Sequence, residues 1–166
     1  MLGTIKRVDN MKVINMERMD LENKISLEVP DDANLSGGNG SYKGKDNHEY
    51  LMLFLLNDEQ FKNAVKNIDG SSENIFTNFP SRENERIDFS QELPKGSFAW
   101  KSFILNLTLY NVIITNPYCE NQSFFGKLFR KNDQNINRKS IDIKGLKISS
   151  PYKNITFHIA NSVSFK

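Results

Sequence analysis

Histidine and cysteine, the side chains that most often carry catalysis, are scarce in this chain, with two histidines and one cysteine in 166 residues. His48 lies in a polar segment, and His158 lies between Phe157 and Ile159. Neither histidine has a second ligand at helical spacing, as in the H-E-x-x-H motif of zinc enzymes. No G-x-S-x-G motif marks a hydrolase nucleophile. We therefore predict a protein without catalytic residues, in which His158 has a structural role.

Residues 31–49 contain the groups from which a ligand site would most naturally be built. The glycine cluster at 37–40 lacks the G-x-x-x-x-G-K-[ST] spacing of a phosphate loop, so chain flexibility is the simpler interpretation. Carboxylates at the two ends of the segment form an alternative, a Ca²⁺ site built from Asp31, Asp32, Asp46 and Glu49. The EF-hand spacing is absent, and acidic side chains in a solvated loop are the simpler interpretation. We predict no metal and no cofactor.

Composition excludes several other classes of protein. The net charge is +2, with 22 basic and 20 acidic residues mixed along the chain, so we predict no nucleic-acid partner. No apolar run approaches the ~18 residues that a membrane-spanning helix needs. The lone cysteine, Cys119, excludes an internal disulfide and a multi-cysteine zinc site, and we expect it to be buried.

The densest apolar run, residues 50–56, is the centre of the predicted fold. Seven apolar residues between polar flanks suit a strand buried on both faces. Asn57 and Gln60 then form a capping-box pattern, which predicts the start of a helix. Apolar residues at i, i+3, i+4 and i+7 give that helix one buried face, and a glycine marks its end; these residues are Phe61, Ala64, Val65, Ile68 and Gly70.

Alternation of polar and apolar residues predicts strands elsewhere. Residues 24–29 place Ile25, Leu27 and Val29 on one face, and similar patterns occur at 85–90, 98–109, 112–114 and 140–148. We predict a turn near residues 110–111, and a closing hairpin at 154–165 with its turn at Ala160 and Asn161. Roughly eight short strands and one helix indicate a mostly β protein, an antiparallel two-sheet β-sandwich with one short inserted helix. Residues 1–22 form an N-terminal tether or hairpin, and residues 23–166 form the β-sandwich domain.

The order of these elements resembles the TssJ family, the outer-membrane lipoproteins of bacterial type VI secretion systems. The similar segments are Ile-Ser-Leu-Glu-Val followed by Pro-Asp-Asp-Ala-Asn at 25–34, the strand and helix start at 49–61, Leu-Pro-Lys-Gly-Ser at 93–97, the tyrosine-containing strand at 107–114, and the closing segment at 154–165.

The resemblance implies a transthyretin-like or C2-like β-sandwich without chemistry of its own. It implies a lipid on a cysteine upstream of the given chain, which would hold the protein at the periplasmic face of the outer membrane. It further implies that residues 31–49 contact the periplasmic C-terminal region of TssM, within the TssJ–TssL–TssM membrane complex. The expected contact residues are Asn34, Leu35, Tyr42 and His48.

Physical reasoning about residues 31–49 gives a related expectation. A flexible glycine-rich loop loses conformational entropy when it binds, so it needs an anchoring side chain. Tyr42 is the predicted anchor, and Leu35 is the other candidate. Two further functions remain open at this point: a β-sandwich recognition module for protein or lipid, with or without Ca²⁺, and a structural protein of a virion or appendage.

Overall fold

Eleven strands, all paired antiparallel, form two sheets in the residues that the structure describes. The computed structural model describes residues 4–6, 13–68, 85–86, 93–104, 106–119 and 138–166. In chain order the elements are β1 (Thr4–Lys6), β2 (Val13–Leu21), β3 (Ile25–Pro30), β4 (Ser36–Gly38), β5 (Ser41–Lys43), β6 (Met52–Leu56), α1 (Asp58–Ile68), β7 (Glu85–Arg86), β8 (Phe98–Ile104), β9 (Leu107–Thr115), β10 (Gly145–Ser150), α2 (Lys153–Ser162) and β11 (Ser164–Phe165).

The small sheet has the strand order β1-β2-β3-β11, and the large sheet has the order β4-β5-β6-β10-β9-β8-β7. Both sheets contribute side chains to one main core, as in a β-sandwich. The predicted fold class, a mostly β, antiparallel two-sheet sandwich with a short helix inserted after a buried strand, is confirmed. The largest fully buried side chains of this core include Met16, Ile25, Leu27, Leu53, Leu146, Ile148, Ile155 and Ile159.

Strand β6 is buried on both of its faces, as its unbroken apolar sequence predicts. Leu53 and Leu55 point into the main core, whereas Leu56 and the half-buried Phe54 belong to a second apolar cluster with Trp100. The strand begins at Met52, however, and Tyr50 is 46% exposed instead of buried. The first residue of the apolar run therefore lies on the surface.

Helix α1 begins at the predicted capping box. The backbone N–H of Asn57 donates to Gln60 Oε1 and the backbone N–H of Gln60 donates to Asn57 Oδ1, each over 2.9 Å. These reciprocal bonds satisfy backbone donors that the first helical turn leaves open. Phe61 and Ala64 pack into the second apolar cluster, and the predicted stop at Gly70 lies outside the described residues.

The predicted closing hairpin at 154–165 is wrong, because most of this segment is helix α2. The apolar residues at 155, 157 and 159 follow the period of a strand, but Ile155 and Ile159 also lie one helical turn apart. Both are buried where α2 packs against β3, β9 and β10. Tertiary packing thus selects the helix, and only Ser164 and Phe165 form a strand, which pairs with β3.

The turn predicted near residues 110–111 is also wrong, since β9 runs without interruption through both positions. Asn111 is 2% exposed, and its side chain bonds to Ser102 Oγ over 3.0 Å and to Ser149 Oγ over 2.6 Å. A buried asparagine is tolerated within a strand when neighbouring strands supply such partners. Of the strand predicted at 85–90, the structure describes Glu85–Arg86.

Residues 13–21, within the segment interpreted from sequence as a tether or hairpin, form β2. This strand pairs with β1 on one side and with β3 on the other, and it buries Met16 and Leu21 in the main core. Neither helix of the described part is long and apolar enough to cross a membrane.

Candidate functional site

Residues 31–49, predicted as one long irregular loop, mostly form an extension of the large sheet. Strands β4 and β5 pair with each other, β5 pairs with β6, and a 3₁₀ helix spans Asp46–His48. Gly37 has a φ of +145°, and a Cβ atom there would lie 2.1 Å from the backbone oxygen of Ser41. The glycine at this position therefore serves the close approach of the two short strands rather than flexibility.

Tyr42 is half-buried, with its ring against the main core and its hydroxyl bonded inside the protein. The hydroxyl donates to Glu22 Oε2 over 2.6 Å, and the same oxygen accepts the backbone N–H of Gly40 over 2.9 Å. Burial, and then the bond to Glu22, raise the pKa of Tyr42 to about 12. This side chain braces the β4–β5 hairpin against the turn between β2 and β3.

We expect Tyr42→Phe to lower the free energy of unfolding by about 1 kcal/mol, because it removes a hydrogen bond to a carboxylate and leaves the ring in place. Urea unfolding measures this change. Tyr110→Phe is the matched control, since no hydrogen bond joins that hydroxyl to another of the described residues. Equal stability of the two variants would contradict the bracing role of Tyr42.

The other predicted contact residues occupy the base of the segment. Asn34 is exposed and has a φ of +49°, whereas Leu35 is half-buried against the main core. The side chain of His48 is 10% exposed, and its Nε2 lies 2.7 Å from Asp32 Oδ1. The Asp32–His48 pair joins the two ends of the segment.

Three of the four predicted residues therefore lie near one end of the sandwich. The backbone N–H of Lys45 donates to the oxygen of Ala33 over 2.9 Å, which brings the part around His48 next to Asn34 and Leu35. The hydroxyl of Tyr42 points to Glu22 at the other end. Asn34 is exposed and His48 is partly exposed. Leu35 and Tyr42 are half-buried, with their apolar atoms packed against the main core.

Tyr50 is the contact candidate that sequence reasoning missed. Among the described residues, Tyr50 is the one large hydrophobic residue that is exposed, at 46%. Its backbone is held in a tight turn, because the N–H of Leu51 donates to the oxygen of His48 over 2.9 Å. Tyr50 begins the apolar run at 50–56, so the sequence pattern grouped it with the buried residues of the strand. Its place directly after a polar segment could have indicated an exposed position. We call Asp32, Asn34, His48 and Tyr50 the docking surface.

No metal site is found in the described parts of the chain. No group of three or more acidic, histidine or cysteine side chains there can hold a metal ion, so Asp31, Asp32, Asp46 and Glu49 do not form the alternative Ca²⁺ site. His158 Nε2 lies 2.9 Å from Glu28 Oε1, and this contact ties α2 to β3. Cys119 is buried at 2% exposure.

Comparison with models of protein families, with curated proteins and with solved structures finds no match to this chain. The resemblance to the TssJ family therefore stays a prediction. The function of this chain is therefore inferred from its fold and from the docking surface.

Proposed function

We propose that this chain is a non-enzymatic β-sandwich subunit that binds a protein partner through the docking surface. Following the resemblance to the TssJ family, the proposed partner is the periplasmic C-terminal region of a TssM-like protein. The proposed place is the periplasmic face of the outer membrane, where a lipid on an upstream cysteine would hold the protein. Its role would be to anchor a type VI secretion membrane complex.

The observation that carries the proposal is the exposure of Tyr50 on a surface that is already folded. Tyrosine is enriched among the residues that dominate protein interfaces, because it combines a large apolar area with a hydrogen-bonding hydroxyl. The backbone N–H of Gly44 donates to the oxygen of Leu51 over 2.9 Å, so the chain on both sides of Tyr50 is fixed. A preformed surface loses little conformational entropy on binding, unlike the flexible loop that the sequence indicates.

Two residues at the start of the segment add polar groups suited to the rim of an interface. Asn34 is exposed, and Asp32 keeps 65% of its side chain exposed while it contacts His48. Polar residues around one aromatic side chain are the usual arrangement of an interface core and its rim. This arrangement supports the binding of a protein partner.

The proposal is tested by mixing the purified chain with the periplasmic C-terminal region of the TssM-like protein from the same organism. We expect a complex that Tyr50→Ala weakens by at least about tenfold, as measured by calorimetric titration. Tyr50→Phe should keep most of the affinity, because the ring provides most of the contact area. Lys95→Ala, an exposed change in the turn before β8, is the control and should have no effect.

Two outcomes contradict separate parts of the proposal. If the unaltered chain forms no complex with the TssM-like region, the anchoring function is wrong. If a complex forms and Tyr50→Ala binds as tightly as the unaltered chain, the partner is right but the docking surface is wrong.

A further inference from the structure

A cleft of about 400 Å³ opens at the end of the sandwich away from the docking surface. Its volume lies within the range of roughly 300–1,000 Å³ that is usual for small-molecule sites. Four segments distant in sequence meet there: the turn after β2, the β4–β5 turn, the junction of β6 with α1, and the residues before β10. The lining residues used below are Glu22, Lys24, Phe54, Leu56, Asn57, Gln60, Asp142 and Ile143.

The charged groups of this end cleft already have partners within the protein. Lys24 Nζ lies 2.6 Å from Asp142 Oδ2 in an ion pair. Glu22 Oε2 accepts hydrogen bonds from the Gly40 N–H and the Tyr42 hydroxyl. Because Lys24 is already paired and the carboxylate of Glu22 has no cationic partner among the contacts above, an anionic ligand gains little here, and a neutral ligand is favoured over an anion.

Hydrogen-bonding capacity nevertheless remains on both sides of the end cleft. Glu22 and Asp142 each use one carboxylate oxygen in the contacts above, so each keeps a second oxygen as an acceptor. Asn57 and Gln60 use their side-chain oxygens in the helix cap. Their NH₂ groups make no hydrogen bond to another described residue, so they remain as donors. Acceptors and donors thus lie around one small space, and a hydroxyl group can bond to both kinds.

The rest of the wall is apolar, with contributions from Phe54, Leu56 and Ile143. A molecule that carries several hydroxyls on a compact carbon skeleton matches both the polar and the apolar part of this lining. We propose that the end cleft binds a neutral sugar unit, with Asn57 and Gln60 as donors and Glu22 and Asp142 as acceptors. This site is separate from the docking surface and does not depend on the proposed function.

The test is a titration of the ¹⁵N-labelled full chain with glucose, galactose, mannose and N-acetylglucosamine, each also as a short oligosaccharide. We expect at least one of these probes to shift the amide signals of Gly40, Ser41, Asn57 and Gln60 in a saturable way. Tighter binding of the oligosaccharide would identify the end of a glycan chain as the ligand, and equal binding would identify a free sugar.

Two variants test the assigned donors while they preserve the helix cap. Asn57→Asp and Gln60→Glu keep the capping oxygen and replace the NH₂ donor with an acceptor. We expect each to weaken sugar binding about tenfold, because a sugar oxygen whose own proton is donated to Glu22 or Asp142 then loses its NH₂ donor and meets a second carboxylate. Their melting temperatures should equal or exceed that of the unaltered chain, since acidic residues suit a helix N-terminus.

Asn63→Asp is the matched control, because it makes the same chemical change at an exposed position of α1 that does not line the end cleft. It should bind the probe as tightly as the unaltered chain. The proposal is overturned if no probe binds, if Asn57→Asp and Gln60→Glu both bind like the control, or if arginine binds the end cleft in preference to every sugar.

Discussion

Asn116→Ala should lower the free energy of unfolding by about 2–4 kcal/mol, because it removes three hydrogen bonds of a buried side chain and leaves one backbone N–H without its acceptor. Asn116 is 0% exposed. Its Nδ2 donates to the backbone oxygen of Ile143 over 2.8 Å and to that of Ser140 over 3.1 Å. Its Oδ1 accepts the backbone N–H of Tyr118 over 3.0 Å. Alanine leaves the N–H of Tyr118 without this acceptor and removes one donor from each carbonyl, although the Ser140 oxygen keeps the N–H of Ile143. Urea unfolding measures the loss.

Two further variants show whether these hydrogen bonds cause the effect. Asn116→Asp keeps the acceptor for Tyr118 but turns an anion towards two carbonyl oxygens, so it should be at least as unstable as Asn116→Ala. Asn106→Ala, at an exposed position before β9, should change the stability by less than about 0.5 kcal/mol. A loss below about 1 kcal/mol for Asn116→Ala would show that the three contacts contribute little.

The free energy of unfolding should increase as the pH rises above about 8, because the buried Lys147 then loses its proton in the folded chain. The residue lies within β10, with its Nζ 5.5 Å from the ring centroid of Phe54 and 5.8 Å from that of Trp100. Burial lowers its pKa from 10.5 to about 8. Between these two values the unfolded chain binds a proton that the folded chain lacks, so the free energy of unfolding increases with pH. The full gain is on the order of 3 kcal/mol.

Urea unfolding at several pH values from about 7 to about 10 measures this gain. Lys147→Met should abolish the contribution of Lys147 to the slope, because methionine fills a similar volume without a titrating group. Lys62→Met is the control, since the side chain of Lys62 is 73% exposed. The raised pKa of Tyr42 acts in the opposite direction above about pH 10, but it is common to all variants. Parallel curves for the two methionine variants would contradict the prediction.

The parts of the fold that sequence predicts well are those decided by neighbouring residues. The cap of α1 depends on Asn57 and Gln60, which are three positions apart, and both predicted bonds are present. The burial of β6 on both faces follows from a run of apolar residues that no turn residue interrupts. Helix α2 could not be predicted this way, because the pattern around Ile155 and Ile159 fits a strand or a helix until the surrounding strands are known.

The candidate sites depend even more on distant contacts. Sequence reasoning selected Tyr42 as an aromatic residue in a polar segment, but the bond that turns its hydroxyl inwards comes from Glu22, 20 residues earlier. Tyr50 was grouped with buried residues because its apolar neighbours give no indication of where the strand begins. The end cleft combines residues from Glu22 to Ile143, and no local pattern reveals such a meeting.

The pairing of β3 with β11 also determines how the chain must fold. Ser164 of β11 pairs with Ser26 of β3. Next to this pairing, the backbone N–H of Glu28 donates to Ser162 Oγ at the end of α2, which lies 134 residues later in the chain. Contacts of such long sequence separation form slowly, because a large loop must close before they contribute any stability. Until β11 arrives, β3 presents an open hydrogen-bonding edge to other copies of the chain. Aggregation during refolding therefore competes with the last step of sheet assembly, and refolding yield should depend on protein concentration.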